Sequence, residues 1–298
     1  HHHVILDGWS IGMVLDRFTQ HYHSGPDATL PPIPSLEPYV AWVRGHDREA
    51  FREHWAGVLD GFEYEPLQIS GDPAMLKPDA GRSKLPAQRS TRTTRAGLLD
   101  HVHELLAPEG LSVAAALEAA LAIVLARFRG RDDVAYGVVG SGRDVPVQDV
   151  DRMVGLLINT VPRRVRISPD ATFLDVAHSI GAQTQSGDAA EHCHGSMSQI
   201  AAVAGQQGLV DVVFTFENYD TGENSTSGPR PVLVEAFEQT SAPLTVTADV
   251  VDGELELTII RDPRLLTAED AARVVERIEA VLHAFTVAPS LPVPQLGP

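Results

Sequence analysis

The sequence predicts a mixed α/β fold, an α+β sandwich in which helices pack on a sheet that contains at least one antiparallel pair. Apolar residues recur at helical spacing in several segments, and other segments alternate apolar with polar residues as strands do. Asp252 and Gly253 stand between two alternating segments. Because both residue types accept the positive φ angles of a type I′ turn, this dipeptide predicts a β-hairpin.

The elements follow from periodicity and capping signals along the chain. Ser112 is expected to be a helix N-cap, and the pairs Thr172/Asp175 and Thr267/Asp270 have the spacing of capping boxes. The predicted helices are 9–22, 36–44, 47–59, 96–107, 112–128, 172–185 and 267–285. The predicted strands are 134–139, 158–167, 210–216, 244–250 and 255–259.

Two segments are expected to connect larger units. Residues 70–95 are poor in apolar side chains and rich in Pro, Gly, Ser and Thr, which is typical of a connection between two lobes. Residues 289–298 are Pro-rich and are expected to form a linker. The second lobe would then comprise residues 96–288.

Composition excludes several classes of function. With 23 basic and 40 acidic side chains the net charge is −17, which argues against nucleic acid or an anionic membrane as partner. The run 113–128 carries Glu118 and Arg127 and is too short to span a bilayer comfortably. A single cysteine, Cys193, excludes an internal disulfide and fits a reducing compartment. A cytoplasmic location is therefore expected.

The first residues, HHHVILDGWS, carry a possible catalytic site. A histidine can accept or deliver a proton near neutral pH, and a glycine lets a backbone N–H approach a reacting oxygen. His2, His3, Asp7 and Gly8 supply these groups within seven residues. A terminal run of histidines is also typical of a purification tag. Zinc is not expected, because adjacent histidines on one strand cannot easily supply tetrahedral ligands.

The same stretch matches, without a gap, the HHxxxDG motif and the Trp-Ser that often follows it in condensation domains of non-ribosomal peptide synthetases. His1 is then an extra residue before the motif. Further segments resemble motifs of that family in the family's order: DDVAYGVVGSGRDVP (132–146), MVGLLINTVPRRVRI (153–167), EHCHGSMSQIAAVAG (191–205) and VDVVFTFENYD (210–220). The chain therefore resembles a condensation domain over nearly its whole length.

The resemblance implies a two-lobed fold like that of chloramphenicol acetyltransferase, with the histidine motif between the lobes. Residues 1–69 would be the remaining C-terminal part of an incomplete first lobe. The implied reaction joins a donor acyl or peptidyl thioester to the amine of a downstream aminoacyl thioester. Upstream and downstream peptidyl carrier proteins would present both through phosphopantetheine arms, beside an adjacent adenylation domain. No cofactor is expected to bind directly.

The resemblance also implies roles for individual residues. His3 would accept the amine proton or hydrogen-bond the tetrahedral intermediate, and Gly8 would offer its N–H to the oxyanion. His2 and Asp7 would maintain the shape of the motif. In related acyltransferases an arginine from the upstream segment pairs with the motif aspartate, so Asp7 is expected to lack its partner in this chain.

Further positions are expected to line the substrate tunnel, namely Trp9, Ser141 and Asn159. Arg143 and Arg164 match recurrent arginines of the family, but both are expected to be structural or solvated and neither to be catalytic. His192 matches the histidine of a family motif, and it is expected to be a packing or surface residue. Cys193 is expected to be an inert thiol.

Alternatives within the fold family remain open. An epimerisation domain shares HHxxxDG, although its EGHGRE-type run is missing here, and a non-catalytic recruitment module usually has a damaged motif, whereas this one is intact. The FENY ending, without a preceding RDxSRNPL-like segment, favours the condensation subtype that accepts a D-configured donor. Residues 1–298 alone are expected to be inactive, because strands upstream of the motif are missing from this sequence.

Overall fold

The computed structural model describes residues 5–25, 29–66, 86–186, 191–217 and 242–296. The predicted α/β class is confirmed, because helices pack on both faces of one mixed sheet. The helices are α1 (Gly8–Ser24), α2 (Glu37–Arg44), α3 (Arg48–Val58), α4 (Leu98–Leu106), α5 (Val113–Arg129), α6 (Phe173–Gln185), α7 (Met197–Val203) and α8 (Ala268–Val287). The strands are β1 (Gln88–Thr93), β2 (Asp133–Gly140), β3 (Asn159–Arg166), β4 (Val212–Glu217), β5 (Leu244–Val251) and β6 (Glu254–Arg261).

The strands form a six-stranded sheet in the order β1-β6-β5-β4-β2-β3. Strand β4 runs parallel to both of its neighbours, β2 and β5, and the remaining pairs are antiparallel. The predicted hairpin is confirmed as β5–β6, and its turn places Asp252 and Gly253 at φ angles of 52° and 82°. These positive angles explain why an Asp-Gly pair stands there.

Each face of the sheet is covered by a separate apolar cluster. Tyr136 and Val134 of β2 belong to the main core with α4, α5, α6 and α8. Ala135, which points to the opposite face because side chains alternate along a strand, packs with Trp55 of α3 and Ile200 of α7. The α3 helix, which belongs to the N-terminal part of the chain, is therefore part of a core that includes the sheet.

The capping predictions are confirmed. The hydroxyl of Ser112 accepts from the N–H of Ala115 at the start of α5. Complete capping boxes, with both reciprocal hydrogen bonds, begin α6 at Thr172 and α8 at Thr267. Helix ends and strand ends lie within one or two residues of most predicted bounds.

Two segments expected to be connections make contacts that the sequence did not indicate. Strand β1 lies inside the predicted connection 70–95 and pairs with β6 along its whole length. Near the other end of the chain, Val293 and Leu296 are buried, and Arg127 donates to both of their carbonyls at 2.9 and 3.1 Å. The described part of segment 289–298 therefore packs against the sheet domain. The division into lobes stays a prediction.

Helix α1 presents its apolar residues outward. Its buried side chains are the polar Ser10 and Thr19, whereas four of its large apolar side chains are exposed by 41–64%: Val14, Leu15, Phe18 and Tyr22. Surface helices of folded domains normally show the reverse arrangement. The helix predicted from this periodicity is confirmed, but the apolar stripe does not face the sheet.

Candidate functional site

Asp7 lies at the centre of the candidate site. Its side chain is fully buried, and it is the N-cap of α1, where its Oδ1 accepts from the N–H of Ser10 at 2.8 Å. Aspartate is a preferred N-cap because its carboxylate satisfies an N–H that lacks a partner within the helix. The capping contact therefore fixes the point at which the motif becomes helical.

The same carboxylate forms a buried ion pair with Arg143. The two guanidinium nitrogens lie 2.9 Å from Oδ2 and 3.3 Å from Oδ1 of Asp7, in a two-pronged arrangement. The expectation that Asp7 lacks an arginine partner is therefore wrong. A residue from the SGR segment, far downstream in the sequence, supplies the guanidinium. The expectation that Arg143 is structural agrees with this contact.

This pairing keeps Asp7 charged. Burial by itself would raise the pKa of the carboxyl, since desolvation disfavours the ionised form. Hydrogen bonds from Arg143, from Ser10 and from the backbone of Leu157 outweigh burial and lower the pKa below its ordinary value. Asp7 is thus an anion at neutral pH with its oxygens occupied, which suits it to hold structure and not to exchange protons.

The SGR turn brings Arg143 to the carboxylate. Gly142 has a φ of 65°, and a Cβ at this position would lie 1.8 Å from the carbonyl oxygen of Leu157. Only glycine therefore fits. Ser141 shapes the same turn, because its Oγ donates to Asp144 at 3.1 Å and accepts from the N–H of Arg143 at 3.0 Å. These contacts assign Ser141 a local structural role.

The MVGLL segment completes the network through its backbone. The carbonyl of Gly155 accepts from the N–H of Asp7 at 3.1 Å and from the hydroxyl of Ser10 at 2.9 Å, and the N–H of Gly155 donates back to that hydroxyl at 3.0 Å. The N–H of Leu157 donates to Oδ2 of Asp7 at 3.0 Å. The three motifs thus meet in one buried hydrogen-bond network.

Sequence reasoning did not find Gly155, Leu157 and Ser10 as members of this site. Gly155 and Leu157 act through backbone groups, which leave no signature in their side-chain type. The sequence offered one signal for this site, which is the presence of DGWS, SGR and MVGLL in the same chain. Their meeting in one network gives a physical reason for the three motifs to occur together.

Gly8 and Trp9 begin α1 beside the ion pair. Gly8 is the first helical residue, where the N–H has no acceptor within the helix, and it is partly exposed. The indole Nε1 of Trp9 donates to the carbonyl of Asp151 at 3.1 Å, and the Arg143 guanidinium lies 5.5 Å from the centre of its ring. Trp9 therefore covers the ion pair while remaining 38% exposed.

Asn159 lies in a second group of contacts, around segment 191–196. Its side-chain amide donates to the carbonyls of Cys193 and Gly195, the latter at 3.0 Å. The indole of Trp55 donates to the carbonyl of His192 at 3.2 Å. Asn159 is thus engaged in holding this segment, and a tunnel-lining role for it stays a prediction.

Two further expectations concern residues outside the network. Arg164 pairs with Asp133 at 2.6 Å and donates to the carbonyls of Val58 and Asp60, so it ties the end of α3 to β2, a structural role as expected. Burial raises the pKa of the Cys193 thiol to about 11. This agrees with an unreactive thiol.

His2 and His3 lie outside the described residues. Among the residues that are described, no group of three or more His, Cys, Asp or Glu side chains is arranged to hold a metal ion. Within the same ranges, no single helix has both the length and the apolar character needed to cross a membrane.

The described site defines a class of protein: an α/β domain in which a buried aspartate at a helix start is held by an arginine from a distant turn. The family model of the condensation domain matches residues 1–297. The chain therefore belongs to the condensation-domain family, of the type found in non-ribosomal peptide synthetases.

Curated relatives agree with this assignment. The chain is 28% identical over 302 aligned positions to bacitracin synthase 3 of Bacillus licheniformis, an alignment covering 97% of this chain and 4% of the relative. It is 30% identical over 263 residues to surfactin synthase subunit 3 of Bacillus subtilis (strain 168), covering 86% of this chain and 20% of the relative. The chain thus spans a small part of these relatives.

Solved structures share the fold. The first condensation domain of the CDA synthetase aligns with a TM-score of 0.80 at 18% identity, over 99% of this chain and 65% of that chain. The condensation domain from the monacolin K polyketide synthase MokA aligns with a TM-score of 0.76 at 15% identity, over 98% and 70% of the two chains.

Proposed function

We propose that this chain catalyses amide-bond formation between a donor thioester and the amine of an aminoacyl thioester, each tethered to a carrier protein by a phosphopantetheine arm. Condensation domains in general form peptide bonds, and this chain belongs to that family. The observation that carries the proposal is the buried Asp7–Arg143 pair at the start of α1, which holds the Asp-Gly end of the motif against the SGR turn.

The proposed chemistry gives each residue of the motif a role. His3 lies four residues before Asp7 in the sequence and would take the proton of the attacking amine or hydrogen-bond the tetrahedral intermediate. Gly8 would donate its N–H, which has no acceptor within the helix, to the oxyanion, where the partial positive charge of a helix start adds to the stabilisation. His2 and Asp7 would keep the motif in shape.

Most of the rate enhancement is expected from positioning. Two tethered reactants held in one tunnel react as an oriented pair, an effect that contributes up to ~7–11 kcal/mol to lowering the barrier. Trp9, Ser141 and Asn159 are proposed to border this tunnel. Because the side chains of Ser141 and Asn159 already hold loops in place, we propose that both shape the tunnel wall without contacting the reacting atoms.

The test uses a complete module that contains this chain, one donor-loaded carrier and one acceptor-loaded carrier. We expect an amide product attached to the acceptor carrier, detected by intact-protein mass spectrometry. Exchange of the donor Cα hydrogen for deuterium without amide formation would identify an epimerisation domain instead. Absence of both, with stable binding of another enzyme, would identify a recruitment module.

We also propose that the donor is D-configured. Support comes from the FENY ending of segment 210–220, of which Phe216 and Glu217 lie at the end of β4 and residues 218–220 fall outside the described residues. Competition between D- and L-terminated donors in the same assay is expected to favour the D form. A clear preference for the L form would refute this part of the proposal.

We further propose that residues 1–298 by themselves are inactive and need another polypeptide surface against α1. The outward apolar stripe of that helix supports this idea, since Phe18 and Tyr22 are 59% and 64% exposed. Purified residues 1–298 with both loaded carriers are expected to form no amide. Amide formation by this polypeptide alone would overturn the requirement but would leave the proposed reaction intact.

The proposed partners are an upstream and a downstream peptidyl carrier protein and an adjacent adenylation domain. A net charge of −17 makes nucleic acid and anionic membrane unsuitable partners. A cytoplasmic location is proposed chiefly because a single cysteine fits a reducing compartment.

A further inference from the structure

Segment 191–196 is held by aromatic and histidine side chains of α2, of α3 and of the connection between these helices. The ring of His194 meets Trp42 edge-to-face at a centroid distance of 4.4 Å and lies 5.4 Å from the ring of His46. Trp42 also meets His46, at 4.2 Å. We call His46 and His194, which both contact the same indole, the histidine clamp.

A second pair of imidazoles lies in the same interface. The rings of His54 in α3 and His192 are 4.4 Å apart. A Cβ on Gly195 would come within 2.1 Å of the ring of Phe51, so the segment packs directly on α3. His46, in the connection between α2 and α3, and His54 of α3 thus face two histidines from segment 191–196.

The clamp is connected to the motif site by consecutive contacts. Tyr39 of α2 lies 6.1 Å from His194 between ring centres, and its hydroxyl donates to the carbonyl of Leu157 at 3.3 Å. The N–H of the same Leu157 donates to Asp7. Burial raises the pKa of Tyr39, so its hydroxyl keeps the proton that it donates.

We propose that the histidine clamp positions Leu157, and through it Asp7, and that the clamp opens when both of its imidazoles become protonated. So far as it concerns catalysis, this inference rests on the proposed function. An imidazole gains its charge between about pH 5 and 8. A single charged ring has no like charge beside it in the clamp, whereas a second charge 5.4 Å away is repelled.

Other charges act on the clamp from the elements packed around it. Carboxylates partly offset the repulsion between two imidazolium rings, and cations add to it. The other ionisable side chains on those elements are Glu37, Tyr39 and Arg44 of α2, Asp47 before α3, Arg48, Glu49, Arg52, Glu53 and His54 of α3, Glu191, His192 and Cys193 of the segment, Asp144 of the SGR turn, and the Asp7–Arg143 pair behind Tyr39.

A hydrogen bond to the backbone holds the ring of His46 in place in the neutral clamp. Its Nδ1 lies 2.8 Å from the carbonyl of Trp42, which can only accept, so Nδ1 carries the hydrogen and donates. In the neutral ring Nε2 then holds the lone pair. Protonation at Nε2 adds a donor and a charge next to His194 without replacing the existing hydrogen bond.

Hydrogen–deuterium exchange of the whole chain at pH 7.5 and 5.5, corrected for intrinsic rates, tests the clamp directly. We expect segments 37–46 and 191–196 to exchange about tenfold faster at the lower pH, while β5 and β6 stay unchanged. In segment 191–196, where the His54–His192 pair remains, His46→Phe is expected to weaken this response, and in segment 37–46 this variant, which keeps a ring that cannot become charged, is expected to abolish it. His103→Phe, on the exposed side of α4, is the matched control and is expected to retain it.

If His46→Phe does not fold, His46→Gln serves the same purpose. An exchange rate independent of pH in the wild type, or an undiminished response in the His46 variant, would overturn the clamp. The amide assay is a separate readout. A pH response without amide formation would reject the proposed function and keep the clamp. Amide formation without a pH response would reject the clamp and keep the proposed function.

Discussion

Arg143 and Asp7 form a buried ion pair across 136 positions of sequence, with side-chain exposures of 5% and 0%. The pair joins the start of α1 to the SGR turn, and the backbone of Gly155 and Leu157 closes the network from the other side. Each oxygen of the carboxylate accepts more than one hydrogen bond. The Asp-Gly end of the motif therefore lies beside the turn that follows β2.

The first prediction concerns the cost of breaking that pair. Arg143→Ala leaves a buried carboxylate without its counter-charge, and the free energy of unfolding is expected to fall by about 3–5 kcal/mol. Asp7→Asn should be costly for the same reason, and the double variant Asp7→Asn/Arg143→Ala should lose less than the sum. Urea denaturation of the four proteins measures this coupling. Strictly additive losses would show that the two side chains do not interact.

The second prediction is the pH dependence of the same contact. Because the pKa of Asp7 is lowered on folding from an ordinary value of 3.8, its stabilising effect is complete above about pH 4 and disappears as the pH falls through the lower folded pKa. The stability difference between wild type and Asp7→Asn should therefore be constant from pH 7 to about 5 and shrink below about pH 4. A difference that grows on acidification would contradict this sign.

The third prediction concerns the SGR turn. Gly142→Ala drives a methyl group into the carbonyl of Leu157 and is expected to cost more than about 4 kcal/mol. Gly130→Ala is the matched control, because Gly130 also has a positive φ, 61°, but a Cβ there meets no atom within 4 Å. The control is expected to cost about 1 kcal/mol. Equal losses in thermal unfolding would mean that backbone strain alone requires glycine at position 142.

The fourth prediction concerns the contact between segment 191–196 and α3. Gly195→Ala overlaps the ring of Phe51 and is expected to destabilise the domain by about 1–3 kcal/mol. Phe51→Leu should remove most of that penalty, since a smaller side chain leaves room for the methyl group. The measurement compares the loss of stability caused by Gly195→Ala in the protein with Phe51 and in the Phe51→Leu variant. A penalty that is the same with Phe51 and with Leu at position 51 would refute the packing account.

Much of the fold could be predicted because local chemistry specifies it. The capping boxes at Thr172 and Thr267, the N-cap Ser112 and the Asp252-Gly253 turn depend on residues a few positions apart, and all of them are confirmed. The family was also predictable, since several motifs stand in order along the chain.

What could not be predicted depends on contacts across the sequence. Strand β1, QRSTRT, is exposed at all six positions, so it has no apolar alternation to reveal it, and its pairing with β6 alone defines it. The partner of Asp7 was missed because an arginine 136 positions away carries no local sign of where it points. The backbone roles of Gly155 and Leu157 were hidden for the same reason.

The central claim is tested most directly by single-turnover amide formation in the complete module with both loaded carriers. His3→Ala is expected to lower the rate by about 10²–10⁴-fold, the range of a lost acid–base group. His1→Ala, which removes the histidine preceding the motif, is expected to leave it unchanged. If the His3 variant forms amide at the wild-type rate, the motif is not the catalytic site and the proposed mechanism is wrong.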